Sequence, residues 1–248
     1  MNLIQKLFAG AVISAACGCS PKIEPGVSDP YEITQKVVRP TDSNKRSVVF
    51  LVDLSGSMDN LLGSKLKIDS AKESLKDILR IYGEYNKSDN NIEAGLISFN
   101  STRIDTLVPL SPFDYEKLAS KIDSLKAKGD TPIGMALARA ERELDRAANG
   151  QKYIVLLSDG ENTRGRGPNE VWKNITDYNL RVSDHPTSLH IVAFNTDKKY
   201  FDGLVKLGAK TYEAKNGGEL TAILRENAYE ILEMPMEGTL EEALKGKK

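Results

Sequence analysis

Two stretches of this chain, SVVFLVD at 47–53 and YIVLLSD at 153–159, are unbroken apolar runs that end on an aspartate. A strand with one face in water alternates apolar and polar residues, whereas a run without alternation belongs to a strand covered on both faces. Such strands need helices above and below a mainly parallel sheet, so the chain has to supply strands and helices in turn.

It does. Leu66 to Tyr82 has helical spacing, with Leu66, Ala71, Leu75, Ile78 and Leu79 on one stripe. Ile92 to Phe99 and Arg103 to Leu110 are strand-like, and the short polar joint Asn100-Ser101-Thr102 predicts a hairpin. Helices follow near Tyr115 to Leu125 and from Pro132 to Ala148. Asp130 or Thr131 is expected to cap the second, and Pro132 to sit in its first turn. After Tyr153 to Leu157 come a helix over Asn169 to Asn179 and a strand over Leu189 to Phe194. A short helix near Phe201, a strand over Lys210 to Glu213 and a helix over Glu219 to Leu232 complete the series. The expected fold class is α/β: a doubly wound, mainly parallel, Rossmann-like sheet with helices on both faces and one antiparallel edge strand. There are no internal repeats.

Residues 1–20, MNLIQKLFAGAVISAACGCS, place Lys6 before an apolar stretch, Leu7 to Ala16, that closes on small residues. That is the layout of a secretory signal peptide, and about ten apolar residues are too few for a membrane span. The ending resembles a bacterial lipoprotein signal, with Cys17 or Cys19 as the lipidated residue. The family's preferred Leu three residues earlier is replaced by Ser14 or Ala16. Residues 21–45, with Pro21, Pro25, Pro30 and Pro40, read as an extended tether; 46–233 as the folded domain; and 234–248 as a charged tail. The expected location is the bacterial cell envelope, with attachment to a membrane through the lipid. Cys17 and Cys19 are the chain's two cysteines, so the folded part has no thiolate for a metal and no internal disulfide. With 34 basic against 35 acidic residues and 6% aromatics, the chain shows no basic, base-stacking surface, and no nucleic-acid partner is expected.

In an open parallel sheet, ligands bind beyond the carboxyl ends of the strands. An aspartate there is often only a turn former or a helix cap. Asp53, however, begins the run Asp53-Leu54-Ser55-Gly56-Ser57, with an oxygen at every second side chain. In a straight strand the outer two residues lie roughly 13 Å apart, too far to share an ion. The segment therefore has to curl, with Gly56 expected to supply the unusual backbone angles. One carboxylate and two hydroxyls would then converge as hard oxygen ligands, which suit Mg²⁺; Mn²⁺ and Ca²⁺ stay open.

With DLSGS at 53–57, GDTPIG at 129–134 and LSDGEN at 157–162, the chain resembles the von Willebrand factor A domain family. The resemblance covers roughly residues 46–232. That family's metal-ion-dependent adhesion site has the pattern D-x-S-x-S, then Thr, then Asp, and these three pieces stand in its order and spacing. The resemblance implies a metal site of Asp53, Ser55, Ser57, Thr131 and Asp159. Ser55 and Ser57 would ligate directly, Thr131 would join in the liganded state, and the two aspartates would act through water or the hydroxyls. The implied function is capture of a partner protein's Asp or Glu by the ion. Gly160, Glu161, Arg164 and Arg166 would form the partner-binding rim, the arginines steering an acidic partner. Family members can also couple ligation to a shift of the last helix, here Glu219 to Leu232.

The rival class is a metal-dependent hydrolase or phosphotransferase. The chain has no G-x-S-x-G elbow and no Walker A loop, and His185 and His190 form no H-E-x-x-H pair, so no enzyme is expected. Within the binding class, an adhesin and a periplasmic assembly subunit working beside an ATPase both stay open.

Overall fold

The computed structural model describes residues 42–234, except 90, 102, 148 and 183–185. The leader with Cys17 and Cys19, the tether up to residue 41, the tail from 235 and His185 lie outside the described residues. Among the described residues no helix is long and apolar enough to cross a membrane.

The first apolar run is strand β1 (Asp42–Asp53). It is followed by a 3-10 turn at Gly56–Asp59, a small ribbon of β2 (Leu61–Leu62) and β3 (Lys65–Leu66), and helix α1 (Lys67–Asp89). Then come β4 (Ile92–Asn100), β5 (Arg103–Pro112), α2 (Tyr115–Asp123), α3 (Ile133–Leu144) and β6 (Asn149–Ser158). The domain ends with α4 (Pro168–Val182), β7 (Ser188–Phe194), α5 (Asp202–Val205), β8 (Lys210–Ala214) and α6 (Gly217–Leu232).

The large sheet runs β5-β4-β1-β6-β7-β8, every pairing parallel except the β4–β5 hairpin. This is the expected doubly wound sheet with its antiparallel edge. Period-2 alternation sends the residues of β1 to two separate cores. Val48, Phe50 and Val52 pack with α1, α2 and α6 on one face; Val49 and Leu51 pack with α3, α4 and α5 on the other. That division is why the run shows no polar alternation.

From β1 the chain winds one way, through α1 to β4; from β6 it winds the other way, through α4 to β7. The winding reverses between β1 and β6, so the crevice between their carboxyl ends is the topological switch point where such sheets bind ligands. Asp53 ends one strand, and Asp159 follows the last residue of the other.

Several boundaries differ from expectation. β1 begins at Asp42, inside the expected tether, with a register irregularity before Arg46. Arg46 hides this start from a hydropathy reading: it is charged yet 5% exposed. Its guanidinium bonds the Ile231 carbonyl (2.8 Å), the Tyr85 hydroxyl (3.0 Å) and Glu233 (2.9 Å), tying the start of β1 to the last turns of α1 and α6. Helix α1 runs past Tyr82 to Asp89, while α3 stops at Leu144, short of Ala148. The expected cap of α3 is also corrected. Pro132 is its N-cap and makes no side-chain bond there. Asp130 pairs with Arg164 (3.7 Å), and the Thr131 amide donates to the Thr163 hydroxyl (2.9 Å).

Candidate metal centre

Beyond Asp53 the chain leaves the sheet at once. Asp53 Oδ1 accepts the Ser55 N–H at 2.7 Å, folding the backbone back over the aspartate. Ser55 is the N-cap of the 3-10 turn, but its hydroxyl makes no cap bond and is directed elsewhere. Gly56 donates its N–H to the Gly129 carbonyl at 2.7 Å, and Lys128 donates to the Leu54 carbonyl at 2.6 Å, clamping the serine loop to the 128–129 segment.

The role expected of Gly56 is corrected here. It does not adopt a positive φ, and a Cβ on it would meet Gly129 atoms at 3.6–3.7 Å, ordinary contact. The left-handed glycine is Gly129 (φ +102), in the loop that receives the Gly56 bond. The curl comes from the Asp53 side chain and the 3-10 turn.

The hydroxyls of Ser55 and Ser57 stand 3.0 Å apart. Both reach Asp159 Oδ1, at 3.3 and 2.7 Å. Asp53 Oδ2 accepts the Ser158 hydroxyl at 2.6 Å, locking the ends of β1 and β6 together. Four of the five expected residues therefore form one connected set. Thr131 stands beside them: its carbonyl accepts the Thr163 N–H (3.0 Å), and its hydroxyl lies 4.0 Å from where a Cβ on Gly160 would be. Asp53 is fully buried, and Ser55, Thr131 and Asp159 are buried. Burial pushes the Asp53 carboxyl up to about 6 against the lowering bonds from Ser158 and Ser55, with Asp159 adding to the rise.

Two partners were not apparent from the sequence. Ser158 precedes Asp159 in an apolar run, and only the pairing of β1 with β6 shows that it serves Asp53. Lys67 donates to Asp159 Oδ2 at 2.8 Å, with its side chain 9% exposed and that of Asp159 0%. No spacing signal predicts a pair separated by 92 residues.

On the rim, Arg164 pairs with Asp130 at 3.7 Å, with both side chains partly exposed. Glu161 is exposed, and its bond to the half-exposed Tyr200 raises that phenol above its ordinary value. Tyr200 thus joins the rim from a segment the sequence did not connect to it. Arg166 is exposed, and its carbonyl packs under Gly134 at the start of α3.

The donor set fits a small divalent ion by one measurable criterion. Neighbouring ligands of an octahedral ion with bonds of about 2.1 Å stand about 3 Å apart, and the two serine oxygens, hydrogen-bonded to each other in this structure, have that separation. Among the described residues, no three His, Cys, Asp or Glu side chains form a metal-holding group. Among these groups, His190 lies on β7 in register with Val155, three residues short of Ser158, and faces the α6 side.

Comparisons with known proteins agree with the fold. Residues 48–161 match the model of the von Willebrand factor type A domain. Protein YwmD of Bacillus subtilis (strain 168) is 32% identical over 166 residues, covering 62% of this chain and 70% of its own length. Among solved structures, the PilB minor pilin from Streptococcus sanguinis superposes with a TM-score of 0.62 at 17% identity, covering 76% of this chain and 61% of that one. The pilus adhesin SpaC from Lactobacillus rhamnosus GG gives 0.63 at 14%, covering 79% and 32%. The chain thus spans less than two thirds of either pilus protein, and at these identities the likeness is one of fold.

Proposed function

Because the chain belongs to the von Willebrand factor type A domain family, we propose that it is a divalent-metal-dependent binding module that captures an acidic side chain of a partner protein. One observation carries this reading: two serine hydroxyls 3.0 Å apart share a buried aspartate oxygen at the switch point of the sheet. Asp159 accepts hydrogen bonds from both hydroxyls, which turns their lone pairs toward a cation. Asp53 fixes the Ser55 backbone, and Ser158 fixes Asp53. Asp53 and Asp159 would supply charge from behind the hydroxyls, and Thr131, whose hydroxyl lies 4.0 Å from where a Cβ on Gly160 would be, would join in the liganded state. A bound Mg²⁺ (or Mn²⁺ or Ca²⁺) would supply Lewis acidity and a position where a partner's Asp or Glu replaces water.

Binding is preferred over catalysis because the carboxylates are occupied by the serines, Ser158 and Lys67, and His190 faces the α6 core. The pilus adhesin and minor pilin of like fold, with the signal-like leader, support an exported protein on the cell envelope, anchored through Cys17 or Cys19.

The test is calorimetric titration of Mg²⁺ and Mn²⁺ into the wild type and an Asp53→Ala, Ser55→Ala double variant. Saturable binding by the first and none by the folded second is expected, and partner capture should then be lost in EDTA. Absence of saturable binding by the wild type at millimolar metal would overturn the proposal.

The raised Asp53 carboxyl makes this site sensitive to mild acid. A proton on Asp53 removes negative charge the ion needs, so metal affinity should fall as pH drops through about 6, by up to roughly tenfold per pH unit. Stability of the metal-free protein runs the other way. A group whose folded value lies above its unfolded one stabilises the fold fully below pH 3.8 and loses that contribution as pH rises through about 6. Titrations at pH 5, 6 and 7.5 check the first statement, and equal affinity at all three would refute it.

A further inference from the structure

We propose that Lys67 holds the metal affinity of this site down, acting as a fixed positive charge behind Asp159. The inference rests on the metal-binding reading above. The ammonium of Lys67 and the hydroxyls of Ser55 and Ser57 share one carboxylate: Lys67 on Oδ2 at 2.8 Å, the serines on Oδ1. The charged groups in this hydrogen-bonded set are then Asp53, Asp159 and Lys67. Their formal sum is one negative charge, where the two aspartates alone would give two. A divalent ion is left with a net positive charge after binding, which a partner's carboxylate can neutralise.

Lys67 is there against two local costs. It is the first residue of the 23-residue helix α1, where the positive end of the helix dipole disfavours a cation. It is also buried, so its charge is desolvated. The β2–β3 ribbon delivers it: the Lys67 N–H donates to the Asn60 carbonyl at 3.0 Å, closing the loop that starts at the serines, with Gly63 in the left-handed region (φ +66) at the ribbon's turn. The segment leaving the metal site thus returns to place one cation behind Asp159. Unlike a salt bridge that serves stability alone, this charge opposes the ion directly.

The experiment is Mn²⁺ titration of the purified protein, read by loss of the free-ion electron paramagnetic resonance signal, for wild type, Lys67→Met, Lys67→Gln and Lys67→Arg. Met and Gln are expected to tighten Mn²⁺ binding by at least about tenfold, and Arg, which keeps the charge, to stay within about threefold of wild type. Thermal unfolding without metal should show both neutral variants less stable than wild type, and saturating Mn²⁺ should raise their midpoints more than it raises that of wild type. Two neutral variants guard against one failing to fold. Wild-type binding with no tightening in either neutral variant overturns the role of Lys67 and leaves the metal site standing. No saturable binding in any of the four overturns both.

Discussion

Replacing Asp159 with alanine should abolish divalent-metal binding and destabilise the metal-free fold by about 3–5 kcal/mol, the range for breaking a buried ion pair from one side. The side chain accepts three hydrogen bonds, from Ser55, Ser57 and Lys67, and is wholly removed from water. Its loss strands the Lys67 ammonium in a protein interior and frees both hydroxyls. Most of the stability loss should therefore disappear in Asp159→Ala, Lys67→Met, where neither charge is left, while metal binding stays absent. Urea unfolding in EDTA measures both. A single-variant loss below about 1 kcal/mol would mean that water already reaches the pair, and the buried geometry described here would be wrong.

The second large effect is expected from backbone crowding and not from charge. Gly134→Ala should cost about 3 kcal/mol, because the new methyl would stand 2.2 Å from the Arg166 carbonyl oxygen and 3.2 Å from the Gly167 carbonyl carbon. Both are backbone atoms, so no rotamer change relieves the overlap, and the 163–167 loop has to move. Gly134 also donates its N–H to Asn162 Oδ1 at 3.2 Å, so the displacement would reach the segment that follows Asp159. Gly56→Ala is the contrast: its methyl meets only ordinary contacts, and a change under about 1 kcal/mol is expected. Denaturant melts of the two variants side by side decide the matter. Equal losses would show that the loop over α3 yields freely.

The sequence disclosed whatever repeats with a period or stands at a strand end. Doubly covered strands announce themselves by continuous apolar runs, which marked Asp53 and Asp159 as strand ends; it was the resemblance carried by the three motifs that assigned them to one site. It could not disclose features whose cause lies across the fold. The first residues of β1, from Asp42, look like part of a polar tether, because the partners that anchor Arg46 beside them, Ile231, Tyr85 and Glu233, are distant in the chain. Lys67 looks like one more surface lysine at a helix start. Two-residue strands such as β2 and β3 are too short to carry an alternation. Gly56 invited an explanation by dihedral freedom, when the bend is made by a side chain accepting from the backbone two residues on. The arginine-rich loop suggested steering charge, and the neighbour of Arg164 in Asp130 is something a linear pattern does not reveal.

Strand β1 has a mechanical consequence. It is the third strand of six, hydrogen-bonded to β4 on one side and β6 on the other from Arg46 onward, and the candidate site begins at its far end. A load applied between the chain ahead of β1 and a ligand gripped beyond Asp53 would run along this strand. Both ladders would then be strained in shear, sharing the load across many bonds at once, whereas a peeled edge strand gives way one bond at a time. The Arg46 guanidinium passes part of the same load to the last turns of α1 and α6. A domain pulled from its amino-terminal side while holding a partner at this site is therefore loaded along its stiffest line.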